Sequence, residues 1–274
     1  MAPNPISSTM ATQSAVCVMG VIASLLVACA GALDFVKFGY TGATGPQNWG
    51  SLSPDYALCS KGKNQSPINI VKKNAVENKA LNPLDRDYYP TNATLIDNGF
   101  NVMLKFDDDV GELTLEGKKY ALKQMHWHSP SEHTIDGERF PMELHLLHAS
   151  DDKSLAVISI LYQYGHADPF LYQLKEKLEE LSKEACSGDT EAHISVDEVD
   201  TKALRRHTRK YFRYVGSLST PPCTENVTWN ILGKVREMSK DQADLLRSIL
   251  GTEYKNNSRP IQNLNNRKVE MYYE

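Results

Sequence analysis

Five of the eight histidines, at positions 126, 128, 133, 145 and 148, fall within 23 residues of a 274-residue chain, where an even scatter would place fewer than one. In His126-Trp127-His128 the two imidazoles are two residues apart. On a strand they project from one face, about 7 Å apart, while Trp127 points the other way. Such a pair suits two ligands of one metal ion. Seventeen residues on, Glu143-Leu144-His145-Leu146 repeats the alternation, and a hairpin turning at Asp136-Gly137 brings His145 beside the first pair. Three neutral imidazoles leave a fourth tetrahedral position open, the pattern of a catalytic zinc ion rather than a structural one. An isolated HxH pair is commonly two ordinary sheet histidines; the third histidine, the clustering and the nearby carboxylates set this one apart.

Strands have to carry these residues, and the flanking sequence supplies them. Short apolar or alternating runs recur at Thr94–Ile96, Val102–Phe106, Glu112–Leu115, Tyr120–His128, Met142–His148 and Ser154–Tyr164. The dipeptides Asn98-Gly99, Glu116-Gly117 and Asp136-Gly137 between them favour tight turns, so the runs predict an antiparallel meander. Asp168 as N-cap and Pro169 after it open a helix with Leu171, Leu174, Leu178 and Leu181 on one face. A second helix starts at Ser239, with Gln242 in capping-box position, and stops at Gly251. No linker divides residues 33–274, which read as one domain.

With 41% hydrophobic and 23% charged residues the chain can bury a sizeable core, and its formal charge of −4 without a basic block argues against a nucleic-acid partner. No acidic or basic residue precedes Asp34, and Ala15–Leu33 is apolar apart from Gly and Ser. Residues 1–32 are expected to form a cleaved signal peptide, ending at Ala28-Cys29-Ala30 or Ala30-Gly31-Ala32. A membrane anchor, a transit peptide and lipidation at Cys29 are the competing readings. Beyond that segment lie Cys59, Cys186 and Cys223, which allow one disulfide in any of three pairings. Sequons at Asn64, Asn92, Asn226 and Asn256 fit a secreted glycoprotein. Extracellular or apoplastic localisation is expected, with a plastid as the other destination and no membrane association after cleavage.

Several motifs, in order and in register, resemble the α-class carbonic anhydrases, and most of all their secreted plant members. They are Gly45-Pro46-Gln47-Asn48-Trp49, Gln65-Ser66-Pro67-Ile68, Gln124-Met125-His126-Trp127-His128, Ser131-Glu132-His133-Thr134, Glu143-Leu144-His145-Leu146, the run Gly216 to Cys223, and Asn257-Ser258-Arg259-Pro260. The resemblance runs from about Phe38 to the C-terminus. It implies a mainly β, α+β fold: a large, twisted, mostly antiparallel central sheet with short peripheral helices. It also implies reversible hydration of CO2 to bicarbonate and a proton by zinc hydroxide.

Residue by residue, the resemblance makes His126, His128 and His145 the Zn²⁺ ligands. Gln124, Glu143 and the backbone carbonyl of Asn257 become the acceptors that orient them. Ser219 falls where the family usually has Thr; its hydroxyl would accept from the zinc hydroxide and donate to Glu132. Loss of the γ-methyl loosens the rotamer, so a modest cost is expected. Leu147, Val157, Leu218, Val227 and Trp229 match the apolar wall for CO2, with Leu147 standing where Val is more usual. Tyr40, Asn98 and Thr220 match groups that order water in the cavity, and Met103 replaces another polar one. Cys59 and Cys223 match the disulfide of secreted members, leaving Cys186 free.

One departure concerns the proton. Efficient members relay it through a histidine after an Asn-Gly pair, and this chain reads Asn98-Gly99-Phe100. His133 and His148 are expected to be buried and structural, and His166, His193 and His207 to lie on the surface. A carbonic-anhydrase-like storage or binding protein with little turnover is the competing reading, which Phe100 and Ser219 favour. A zinc hydrolase of another fold is disfavoured because HExxH is absent.

Overall fold

The computed structural model describes residues 36–106, 108–185, 192–204 and 208–274. The expected signal segment, Cys29, Cys186 and His207 lie outside them.

Ten strands build the path of the main sheet: β1 (Val76–Glu77), β2 (Thr91–Asp97), β3 (Val102–Lys105), β4 (Lys118–His128), β5 (Met142–Ala149), β6 (Leu155–Tyr164), β7 (Ala192–Val199), β8 (Lys210–Ser217), β9 (Glu225–Leu232) and β10 (Glu270–Tyr273). Their order across the sheet is β7-β2-β3-β4-β5-β6-β9-β8-β10-β1. The stretch from β2 to β6 is antiparallel throughout, as the turn dipeptides predict. Residues Glu116 and Gly117, at φ 50° and 81°, and Asp136 and Gly137, at φ 50° and 82°, adopt the left-handed pair that a tight hairpin needs.

Two pairings on this path are not antiparallel. Strands β6 and β9 run parallel, as do β10 and β1, so the sheet is mixed rather than purely antiparallel. The long β6 to β9 crossover contains two helices as well as β7 and β8, since parallel neighbours need such a connection and cannot be joined by a hairpin. The expected helix from Pro169 is two helices, Pro169–Gln173 and Lys175–Ala185, divided at Leu174 with its ψ of −3°. Asp168 caps the first, accepting from the Phe170 and Leu171 amides. The later helix spans Lys240–Ile249 with the full Ser239–Gln242 capping box, and Leu250 is already extended, one residue before the expected Gly251 stop.

Alternation along the central strands feeds two cores. Met125 and Trp127 of β4, Leu144 and Leu146 of β5, and Ala156, Ile158 and Ile160 of β6 pack with Leu171, Leu178, Leu181 and Leu246 of the helices. Val157, Leu161, Val227, Trp229 and Tyr214 form the second cluster. The metal-type residues share the parity of this second set, so the fold places them where side chains meet above the sheet. His133 and His148 are buried, and His166 and His193 exposed. Asn92, Asn226 and Asn256 are exposed, whereas Asn64 is half-buried and its amide donates to Glu225.

Candidate metal centre

Register alone assembles the three histidines. His145 of β5 lies directly opposite His126 of β4, and Glu143 opposite His128. The nitrogens they offer lie within 4.8 Å of one another.

Each ring is turned by a bond on its far nitrogen. His126 Nδ1 donates to Gln124 Oε1 at 2.8 Å, His128 Nδ1 to the Asn257 carbonyl at 2.7 Å, and His145 Nε2 to Glu143 Oε1 at 2.7 Å. These bonds place the protons on the outer nitrogens and leave lone pairs on His126 Nε2, His128 Nε2 and His145 Nδ1. His128 Nε2 is buried with no hydrogen-bond partner among the described residues. His126 Nε2 and His145 Nδ1 face each other at 3.3 Å. With both protons committed elsewhere, that contact is lone pair against lone pair. A tetrahedral ion with Zn–N bonds of about 2.0–2.1 Å would set its ligand nitrogens about 3.3–3.4 Å apart, which the pair matches. The donor set therefore fits zinc.

Electrostatics favours the same neutral ligands. Burial, followed by the neighbouring His128 and His145, holds the His126 pKa well below the ordinary imidazole value, and burial brings His128 down to about 4. Burial alone would raise the Glu143 carboxyl, but the facing His133 and His145 hold it well below the usual carboxylate range. It accepts five hydrogen bonds: from Ser159 Oγ, His133 Nδ1 and His145 Nε2 on Oε1, and from the Glu132 and His133 amides on Oε2. His133 Nε2 then meets Tyr214 Oη at 2.7 Å, which meets Ser66 Oγ at 2.8 Å.

Glu132 is buried beside this group, and burial raises its carboxyl. One oxygen accepts from the Arg259 amide at 2.9 Å. The Ser219 hydroxyl approaches the carboxylate without closing a well-formed bond on Oε2. The loop holding Ser219 is braced from several sides. Cys59 and Cys223 form a disulfide across 164 residues. Trp229 Nε1 donates to the Ser217 carbonyl, and the Ser66 amide to Ser217 Oγ. Gly216 is required by close approach, since a Cβ there would lie 2.1 Å from Ser66 Oγ.

The five residues expected to line the substrate pocket belong to one apolar cluster: Val157, Val227 and Trp229 buried, Leu147 and Leu218 half-buried. Leu147 lies opposite Val157, and Val157 beside Trp229, on adjacent strands. Trp229 also packs against His145, with ring centroids 4.8 Å apart. Tyr40 is buried and its hydroxyl has no partner among the described residues; burial, then Glu132, raises its pKa well above that of an ordinary tyrosine. Asn98 Oδ1 accepts from the Phe100 and Asn101 amides, so only its amide nitrogen remains for other partners. Thr220 is half-buried, and its carbonyl accepts from the Cys223 amide. Met103 sits directly opposite His126.

The eukaryotic-type carbonic anhydrase family model matches residues 44–273. The chain belongs to this family. It is 43% identical over 228 residues to alpha carbonic anhydrase 7 of Arabidopsis thaliana, covering 83% of this chain and 81% of that protein. It is also 37% identical to dioscorin dioA3 of Dioscorea japonica, over 92% and 93% of the two chains. A dioscorin crystal structure complexed with ascorbate superposes with a TM-score of 0.83 at 38% identity, covering 87% of this chain and 98% of that one. The expected fold class, a large and mainly antiparallel sheet with peripheral helices, is that of this carbonic anhydrase family.

Three contributors escaped the sequence reading. Ser159 bonds Glu143 from within the apolar run of β6, where its parity with Val157 was the available signal. Tyr214 completes the His133 chain from β8. Arg259 stood in a quoted motif without a role; it is 1% exposed and its guanidinium ties Gln65, Ser66 and Cys59 together.

Proposed function

We propose that this carbonic anhydrase family member hydrates CO2 reversibly, with Zn²⁺ held by His126, His128 and His145. The observation that carries the reading is the 3.3 Å lone-pair contact between His126 Nε2 and His145 Nδ1, which a shared cation relieves. When bound, zinc lowers the pKa of a coordinated water towards 7 and makes a nucleophile available at neutral pH.

The chain's own groups do the rest. Gln124, Glu143 and the Asn257 carbonyl hold the imidazoles in the tautomers that bind metal. Glu132 accepts a hydrogen bond from the Ser219 hydroxyl, leaving the Ser219 oxygen to accept from the nucleophile and aim it. Leu147, Val157, Leu218, Val227 and Trp229 offer uncharged CO2 an apolar wall, and bicarbonate, being charged, is less welcome there. No side chain at position 100 relays the released proton, so buffer must. Cleavage of residues 1–32 and export through the secretory pathway belong to the same reading, which the Cys59–Cys223 disulfide supports.

A storage or binding role with little turnover is the second reading. Phe100, Ser219 and the likeness to dioscorins favour it. Stopped-flow CO2 hydration by the zinc-loaded protein, at low and high buffer, separates the two. Hydration that accelerates with buffer is expected; zinc bound in one equivalent with no hydration at any buffer concentration gives the second reading.

A further inference from the structure

The Asn257 carbonyl orients His128, but nothing in a carbonyl fixes its own position. The Asn257 side chain does. Its Oδ1 accepts from the Ser129 amide at 2.8 Å, and its Nδ2 donates to the Phe100 carbonyl at 3.0 Å and the Trp127 carbonyl at 3.2 Å. Its own amide donates to the Ser129 carbonyl at 3.0 Å. With the bond from His128, five hydrogen bonds converge on one residue that is 1% exposed. They tie together three segments far apart in sequence: the Asn98–Asn101 turn, the end of β4 on both sides of His128, and the C-terminal loop.

We propose that the Asn257 carboxamide is a positioning group for His128, acting on the metal ligand through the backbone it clamps and coupling it to the turn that carries Phe100. The inference rests on the zinc reading above and deepens it. Trp127 and Ser129 flank His128, so bonds to both fix the backbone on either side of the ligand. Packing around this backbone is incomplete: a cavity of ≈10 Å³, room for about one water, lies on the Trp127, Met142 and Leu246 side of the strand and borders His128, Ser129 and Asn257. Amide chemistry is required as well as size. Only a group with an acceptor on one arm and two donors on the other satisfies one N–H and two carbonyls at once. Asp has the same shape but would turn an oxygen towards the Phe100 and Trp127 carbonyls. Ser129 is held in turn by Arg247, whose Nε donates to its Oγ at 2.7 Å, so the Lys240–Ile249 helix backs the clamp.

The test uses the full-length protein and its Asn257→Ala and Asn257→Asp variants, with nitrogen-15 in the histidine rings. In the metal-free parent the Nδ1–H protons of His126 and His128 are both held, by Gln124 and Asn257 respectively. Both variants should shift the His128 Nδ1–H signal and speed its exchange with solvent, while the His126 signal stays put. Zinc release to a chelator should accelerate about 10- to 100-fold in the loaded variants, the range for losing a partner that orients a ligand. The proposal is overturned if the His128 signal is unmoved, or if both ring signals change together as a general loosening would make them. Should Asn257→Ala fail to fold, the near-isosteric Asn257→Asp still decides the point. If the parent retains no zinc, the metal reading falls, and the ring signals of the metal-free protein still test the clamp.

Discussion

Phe100 packs its ring against Phe38, with centroids 4.9 Å apart, and Phe38 in turn meets Trp49 edge-on at 5.3 Å. The side chain that follows Asn98-Gly99 is therefore committed to an aromatic cluster anchoring the segment around residue 38. It is not a spare group beside the metal centre. A phenyl ring carries no proton, so turnover should be limited by proton release while the attack on CO2 proceeds normally.

Replacing Phe100 by His should raise kcat several-fold in dilute buffer and leave kcat/KM for CO2 nearly unchanged, because proton release follows the steps captured by kcat/KM. Added imidazole should do the same for the parent. The substitution should also lower stability by about 0.5–1.5 kcal/mol as the aromatic pair is weakened. Stopped-flow rates across a buffer series check this. A buffer-independent parent rate, unmoved by Phe100→His, would mean that another group relays the proton.

Replacing His145 by Ala removes one of the two facing lone pairs and leaves Glu143 without one of its five donors. Zinc retention through gel filtration and CO2 hydration should be lost together. Gln124→Ala should be milder, weakening zinc affinity about 10- to 100-fold while the ion still binds. Stoichiometric zinc and near-normal hydration in the His145→Ala protein would sink the ligand assignment.

The histidine triad was legible because a strand's period of two is strict: His126 and His128 share a face in any strand, and the 17-residue spacing to His145 allows one return. Helix caps at Asp168 and Ser239 were legible for the same reason, being local. What escaped depends on contacts between distant segments. The parallel pairing of β6 with β9 joins residues more than 60 apart, and no turn dipeptide signals it. Phe38 meets Phe100, and Asn257 meets Ser129, only once the sheet has closed. Ring tautomers also needed coordinates, because they follow from which acceptor lies behind each histidine.

Of the pairings the sequence allowed, Cys59 with Cys223 is the one that forms. Peptide mapping of the non-reduced protein should link these two and leave Cys186 as a free thiol. Replacing both cysteines by Ser should lower stability by about 2–5 kcal/mol. It should also depress kcat/KM, because the bridge braces the loop that presents Ser219 to Glu132. A Cys186 peptide joined to either partner would refute the pairing.

Acid should weaken the metal-free protein through a histidine outside the ligand set. His148 is buried beneath the sheet, with Nε2 2.6 Å from Tyr88 Oη and Nδ1 donating to the Ala156 carbonyl at 3.3 Å. In this setting Nε2 must accept, so the ring is neutral, and burial brings its pKa down to about 3. An unfolded chain would bind the proton near the ordinary value of about 6.5. Between those limits the unfolded state holds more protons, so the stabilisation is complete above pH 6.5 and lost progressively as pH falls towards 3. A shift of this size is worth roughly 2 kcal/mol between pH 7 and pH 5. His128, at about 4 without metal, pulls in the same direction. Comparing His148→Gln with the parent isolates the His148 share. Urea titrations of both metal-free proteins at pH 7 and pH 5 should show the parent losing roughly 2 kcal/mol more than the variant over that interval. Equal losses would mean that His148 does not titrate differently on folding.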